Sequence, residues 1–408
     1  MAAIPTLKEG IRISPYREAG AAQRFLLELD NRHFLITAKS RALIEALLTA
    51  PATPDQLERQ YLQRSGAALP ADELIALAAA TLPAALFSDA APAARGNPFT
   101  ISIDLLSPWY AGLLTGRLAW LFKPSLAWSL VAIFAVLHGC VLPAAMHAAH
   151  EGWSGSGGTR LVALLLLSGL IHELGHTTAC RYFNCPHGAI GFGLYVIFPA
   201  WYADVSKAWR LPRRQRAVVD LGGVYFQALM LIGVDLYALA SGSPDALKLI
   251  WLVTFTMLFT LNPVFKFDGY WLLSDLSGLH NLHRQVRQAS AEMLMPLFGR
   301  ARPGARSPVL YAYGLLSGAY MLYFASFLVT EVRRLARTLP DALADSLHQL
   351  GAAAGAARLA DAGWSAWRLL GDLLWPLVIA SACVMLAMKT LRALAGLRSA
   401  VVHARFAA

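Results

Sequence analysis

Charge is scarce in this 408-residue chain: Asp, Glu, Lys and Arg make up 15% of it, against 57% hydrophobic residues. With a mean hydropathy of +0.48, an ordinary soluble enzyme is excluded and a polytopic α-helical membrane protein is expected. Cysteine is also rare. Cys140, Cys180, Cys185 and Cys383 lie in or beside apolar segments, and no disulfide framework can be read from them. The first twenty residues lack an apolar core after a basic start, so no cleaved signal peptide is expected and insertion relies on internal spans. Net charge is missing from residues 1–95, which hold ten basic and ten acidic side chains, so the whole +10 falls on the remainder. Basic loops beside apolar spans point to a cytoplasmic membrane surface and not to nucleic acid.

What is present is a series of apolar lengths near the 20 residues that cross a bilayer. They run from Ser125 to Met146, Leu161 to about Cys180, Ala217 to about Ala240, Leu249 to Phe265, Val309 to Thr330, and Leu373 to Met388. About six spans put both termini on one side, and the Arg210–Arg216 run and the basic residues from Lys266 to Arg306 assign that side to the cytoplasm. Arg333, Arg334 and Arg337 disagree, so residues 331–368 are expected along the surface, or the last span is misplaced.

Residues 1–87 read as a small soluble α+β domain. Two β-rich runs flank Asp30-Asn31-Arg32, which predicts a hairpin. Three helices are expected after it: Ser40 to Leu48, one opening at the capping pattern Thr53-Pro54-Asp55-Gln56, and Ala71 to Phe87. Strands followed by three helices resemble the winged-helix modules that bind leader peptides of ribosomally made, modified peptides. That resemblance implies a strand edge to which a peptide can add. A DNA-binding winged helix is disfavoured by the zero net charge; a structural cap is the other reading. Residues 88–124 are expected as an Ala/Pro/Gly linker (88–97) followed by an interfacial segment carrying Trp109, Tyr110 and Trp120.

The chemistry concentrates in Ile171-His172-Glu173-Leu174-Gly175-His176. His-Glu-x-x-His on a helix sets His172 and His176 one turn apart on one face, where two imidazoles can hold zinc while Glu173 serves as general base. Ionisable residues in an apolar span are costly and usually functional. Zinc then needs a third protein ligand. Asn262-Pro263 followed by Asp268-Gly269 ends a later apolar segment, and Asp204 is a competing candidate that more simply caps or pairs with arginine. Cys180, Cys185 and His187 have loose metal-like spacing, although buried thiols are the commoner reading. Gly188 to Ala203 suits a re-entrant strand or hairpin, or a plain apolar loop. Asp235 lies deep in the third span without an assignable role.

The membrane His-Glu-x-x-His helix with a later Asn-Pro…Asp-Gly resembles site-2-protease-type intramembrane zinc metalloproteases. More narrowly, HELGHTTACRYF, FPAWYADVSKAW and NPVFKFDGYWLLSDLSGLHNL resemble the bacterial group called "putative peptide zinc metalloproteases" over residues 100–330. The resemblance implies Asp268 as third zinc ligand, Asn262 as a residue that holds the substrate or the site, and residues 125–330 as the membrane core. Residues 331–408 would supply a surface segment, a final span and a basic tail. It also implies the bacterial cytoplasmic membrane and a role in maturation or export of a ribosomally made peptide, with a peptide-export transporter as partner. Cleavage of a membrane-bound regulator, and a non-hydrolytic export or immunity component with structural zinc, are the alternatives. No stretch reads as the PDZ domain found in many site-2 proteases.

Overall fold

The computed structural model describes residues 4–16, 23–29, 32–88, 99–150, 157–195, 198–279, 281–286, 289, 308–355 and a few positions between 376 and 388. The Asp30-Asn31 turn, most of the 88–97 linker, and most of the last expected span with its basic tail lie outside the described residues. The chain forms two units: Met1–Pro98, Ser102–Phe192 and Trp201–Met257 make the first, and Phe99–Ile101, Gly193–Ala200 and Leu258–Ala408 the second.

The first unit begins with an antiparallel sheet, β1 (Arg12–Tyr16), β2 (Arg24–Leu29) and β3 (Arg32–Thr37), in that order. The expected hairpin pairs Leu29 with Arg32 and Arg24 with Thr37. Strand β1 has no counterpart in the sequence reading, because RISPY is short and contains Pro15; proline is tolerated on such an edge. Helices α1 (Ala38–Leu47), α2 (Pro54–Ser65) and α3 (Ala71–Thr81) follow. The backbone N–H of Gln56 donates to the Thr53 hydroxyl at the start of α2, and its Oε1 accepts from Ala52 N–H at 2.9 Å, so two orphan donors are satisfied. Helix α3 stops at Thr81 instead of Phe87, because Pro83 cannot continue it. Leu27, Leu43, Ile44, Leu57, Leu74 and Leu86 are fully buried in the shared core, each contributing about 1.5–3 kcal/mol.

Among the described residues, four helices are long and apolar enough to cross a membrane: α5 (Pro124–His150), α6 (Gly157–Tyr182) and α7 (Arg213–Ser241) in the first unit, and α10 (Pro308–Gly355) in the second. They coincide with four of the six expected spans. The segment expected from Leu249 to Phe265 is instead α8 (Pro244–Thr260), 17 residues ending where the chain turns towards Pro263, too short to count as a fifth. Helix α10 runs through Arg333, Arg334 and Arg337 to Gly355 with Pro340 inside it, so the expected break after Thr330 is absent. On α5, Trp128 and Val136 are more than 70% exposed, the pattern of side chains meant for lipid.

Helices α6 and α7 cross through small residues. A Cβ on Gly175 would lie 2.1 Å from the Gly222 carbonyl oxygen, and one on Gly222 would lie 2.7 Å from that of Gly175, so the two backbones touch. Two further elements precede the spans: strand β4 (Phe99–Leu106) and helix α4 (Pro108–Leu118), the latter with Trp109 and Tyr110 exposed. The Gly-rich stretch after α6 forms strands β5 (Ile190–Tyr195) and β6 (Phe198–Ala203), which join β4 in the order β4-β5-β6. A further helix, α9, covers Asp268–Ser277.

Candidate metal centre

Helix α6 carries His172 and His176, both more than nine-tenths buried, with ring centroids 4.7 Å apart and planes at 82°. The Nδ1 of His176 donates to the Val219 carbonyl at 2.7 Å, and a carbonyl can only accept, so its proton is fixed there. The Nδ1 of His172 donates to Gln227 Oε1 at 3.0 Å, while Gln227 Nε2 donates to Ser168 Oγ at 2.9 Å. Both tautomers are thereby set with Nε2 as the unprotonated nitrogen, the one able to ligate a cation. The two Nε2 atoms meet at 3.1 Å. Two lone pairs at that distance repel unless a cation is shared between them, and neutral imidazole pairs suit zinc. Helix α7 makes room for this: a Cβ at Gly223 would sit 2.5 Å from His172 Cε1 and Nε2. Glu173, adjacent on α6, is half-buried.

In the second unit, Asp268 is the first residue of α9, and the turn before it is braced at several points. The N–H of Val264 donates to Asn262 Oδ1 at 2.9 Å, so the Asn262 side chain shapes the turn after it. The Tyr313 hydroxyl donates to the Pro263 carbonyl at 2.9 Å, and His283 Nε2 donates to that of Val264 at 3.0 Å. Gly269 is demanded by space: a Cβ there would lie 1.9 Å from the Leu261 carbonyl oxygen. Of the sequence-predicted residues, His172, Glu173 and His176 stand on α6, and Asn262 with Asp268 on the braced turn.

Other candidates take structural roles. Asp204 accepts from the backbone N–H and hydroxyl of Ser206, at 3.1 and 2.6 Å, and so braces the entry to the short 3-10 turn that follows. Both nitrogens of His187 are engaged, Nε2 by Thr115 Oγ1 at 3.1 Å and Nδ1 by the Gly188 carbonyl at 3.0 Å, which removes it from a thiol–imidazole metal set. Cys180 and Cys185 are buried and hydrogen-bonded to each other; that bond, with Arg210 and Lys207 nearby, holds the Cys185 thiol below its ordinary range. Asp235, fully buried, pairs with His138 of α5 (Nδ1 to Oδ2, 3.1 Å), whose Nε2 meets Thr254 Oγ1 of α8 at 3.1 Å. The Thr254 hydroxyl donates to the Ile250 carbonyl at 2.6 Å, so it can only accept from His138.

Sequence reading missed Gln227, Ser168 and the Val219 carbonyl, the groups that orient the imidazoles. The one available signal was a lone amide side chain inside an apolar span, with Ser168 four residues ahead of His172 on the same helix face.

No family model matches the chain, and no solved structure matches it. A stretch of 126 residues, 30% of the chain, is 27% identical to the protein named "Putative peptide zinc metalloprotease protein YydH" of Bacillus subtilis (strain 168). The chain spans about half the length of that curated relative. This partial likeness supports a zinc metalloprotease-like relationship for a chain that, among its described residues, is largely helical with four helices long and apolar enough to cross a membrane.

Proposed function

We propose that the chain is an intramembrane zinc metalloendopeptidase of the site-2-protease type. The observation that carries the reading is the convergence of His172 and His176 through Nε2, with each Nδ1 proton tied to α7. Asp268, on the braced Asn262–Gly269 turn, is the proposed third ligand, and the likeness to a peptide zinc metalloprotease agrees with zinc as the metal. When bound, zinc lowers the pKa of water and polarises the scissile carbonyl. Glu173 accepts the proton from the attacking water and passes it to the leaving amide nitrogen. Gln227 and the Val219 carbonyl keep both imidazoles in the ligating tautomer, and the apolar helices limit bulk water.

The substrate in this reading is a ribosomally made peptide undergoing maturation or export at the cytoplasmic membrane of a bacterium. The N-terminal sheet and helices serve as a winged-helix-like recognition domain, and both termini are cytoplasmic. A peptide-export transporter is the natural partner. The test uses full-length protein in detergent with a mixture of synthetic peptides, read by mass spectrometry. Wild type should cut, Glu173→Gln should keep zinc and cut nothing, and His172→Ala should lose both. Cleavage by Glu173→Gln at the wild-type rate would overturn the assignment, while full export or immunity function in cells expressing Glu173→Gln would favour a structural zinc.

A further inference from the structure

A cleft of about 580 Å³ opens between the N-terminal sheet and the segment Trp209–Pro212 that leads into α7. Its volume lies in the range of ligand-binding clefts, roughly 300–1,000 Å³. One side is the edge strand β1 with Leu26 and Glu28 of β2; the other is Trp209, Arg210, Leu211 and Pro212. Apolar surface from Ile13, Leu26, Trp209 and Leu211 alternates with charge. Glu28 is spoken for: Arg210 grips its carboxylate with two guanidinium nitrogens, one of them at 2.7 Å. Arg12, cross-strand from Glu28, is exposed on the cleft wall. Behind the cleft, the Arg216 guanidinium lies 5.3 Å from the ring centroids of both Tyr16 and Trp209 and adds a further positive charge. The cleft is therefore edged by a strand, partly apolar and positive in excess.

We propose that this cleft docks an extended stretch of peptide carrying an acidic side chain directed at Arg12. The five residues of β1 span about 14 Å, room for four or five extended residues alongside, with apolar side chains set against Trp209 and Ile13. An anionic lipid headgroup fits less well, because Glu28 contributes negative charge to the floor and much of the wall is apolar. The proposal rests on the hydrolase reading above only in taking the docked peptide to be the substrate.

The test uses full-length Glu173→Gln protein in neutral detergent, so that nothing is cut. The probes are fluorescein-labelled hexapeptides of one β-branched and aromatic sequence with Asp, Asn or Lys at a single position. Anisotropy should show the Asp peptide binding at least tenfold tighter than the Lys peptide. Arg12→Glu should reverse that order, and the reversal itself shows the variant is folded. Equal binding of all three peptides, or an order unchanged by Arg12→Glu, would overturn the proposal. So would displacement of the Asp peptide by phosphatidylglycerol vesicles but not by phosphatidylcholine vesicles, which would assign the cleft to lipid. Cleavage is read separately with the wild-type protein. Charge-dependent binding without cleavage would leave the cleft standing and remove the hydrolase; cleavage whose KM ignores Arg12→Glu would do the reverse.

Discussion

Replacing Gly223 by alanine adds one methyl group, and the structure states where it goes. The new Cβ would lie 2.5 Å from Cε1 and Nε2 of His172 and 2.6 Å from its Nδ1. Carbon atoms rest at about 3.5–4.0 Å, so the ring must retreat by about 1 Å. Helix α7 cannot yield instead, because Gly222 already touches the Gly175 backbone. Metal–ligand distances tolerate roughly 0.2 Å, and the retreat also strains the hydrogen bond to Gln227. Zinc affinity should fall by at least the 10–100-fold typical of disturbed ligand orientation. The control is on the same helix: Gly233→Ala meets nothing within 4 Å. It should leave zinc untouched and raise stability by up to about 1 kcal/mol through helix propensity. Chelator competition measures the first effect and thermal unfolding in detergent the second. Wild-type zinc affinity in Gly223→Ala would refute the reasoning.

Three further outcomes follow from other contacts. Gln227→Leu removes the acceptor for His172 Nδ1 and should weaken zinc by about 10–100-fold, whereas Gln227→Glu, which still accepts, should retain most affinity in the same competition assay. Asp235→Ala strands buried His138 and should cost about 3–5 kcal/mol in thermal unfolding, while the double replacement of His138 and Asp235 by leucine should recover most of it. Arg210 holds the Glu28 carboxyl below its ordinary value of 4.5, so that pair stabilises the fold above that pH and the contribution fades as pH falls further. Because the Arg210 side chain is open to solvent the effect should stay within about 1 kcal/mol, and Glu28→Gln should flatten the acid limb of the unfolding profile.

The helix of the histidine pair was legible because a four-residue spacing needs only one regular element, and four spans were legible because length and apolarity suffice. The remainder depended on where segments meet. Orientation of the imidazoles comes from α7, and that contact exists because Gly175 and Gly222 let two backbones touch, which no pattern within either helix announces. Strand β1 hid behind Pro15, and β4 inside a stretch read as linker and interfacial segment. Asp235 and His138 were visible as polar residues in apolar runs, yet their pairing needed the packing of α5 against α7. The segment from Leu249 was read too long because its apolar run continues into the Asn262 turn after the helix has ended. Asp204 binds the backbone and hydroxyl of Ser206 two residues on, a local contact that its sequence neighbours allow.

Zinc content per chain is the most direct test of the account. Full-length protein purified in detergent should carry about one zinc, Glu173→Gln should carry the same, and His172→Ala, His176→Ala and Asp268→Ala should each carry little or none. Undiminished zinc in both histidine variants would contradict the claim that these two imidazoles hold the metal.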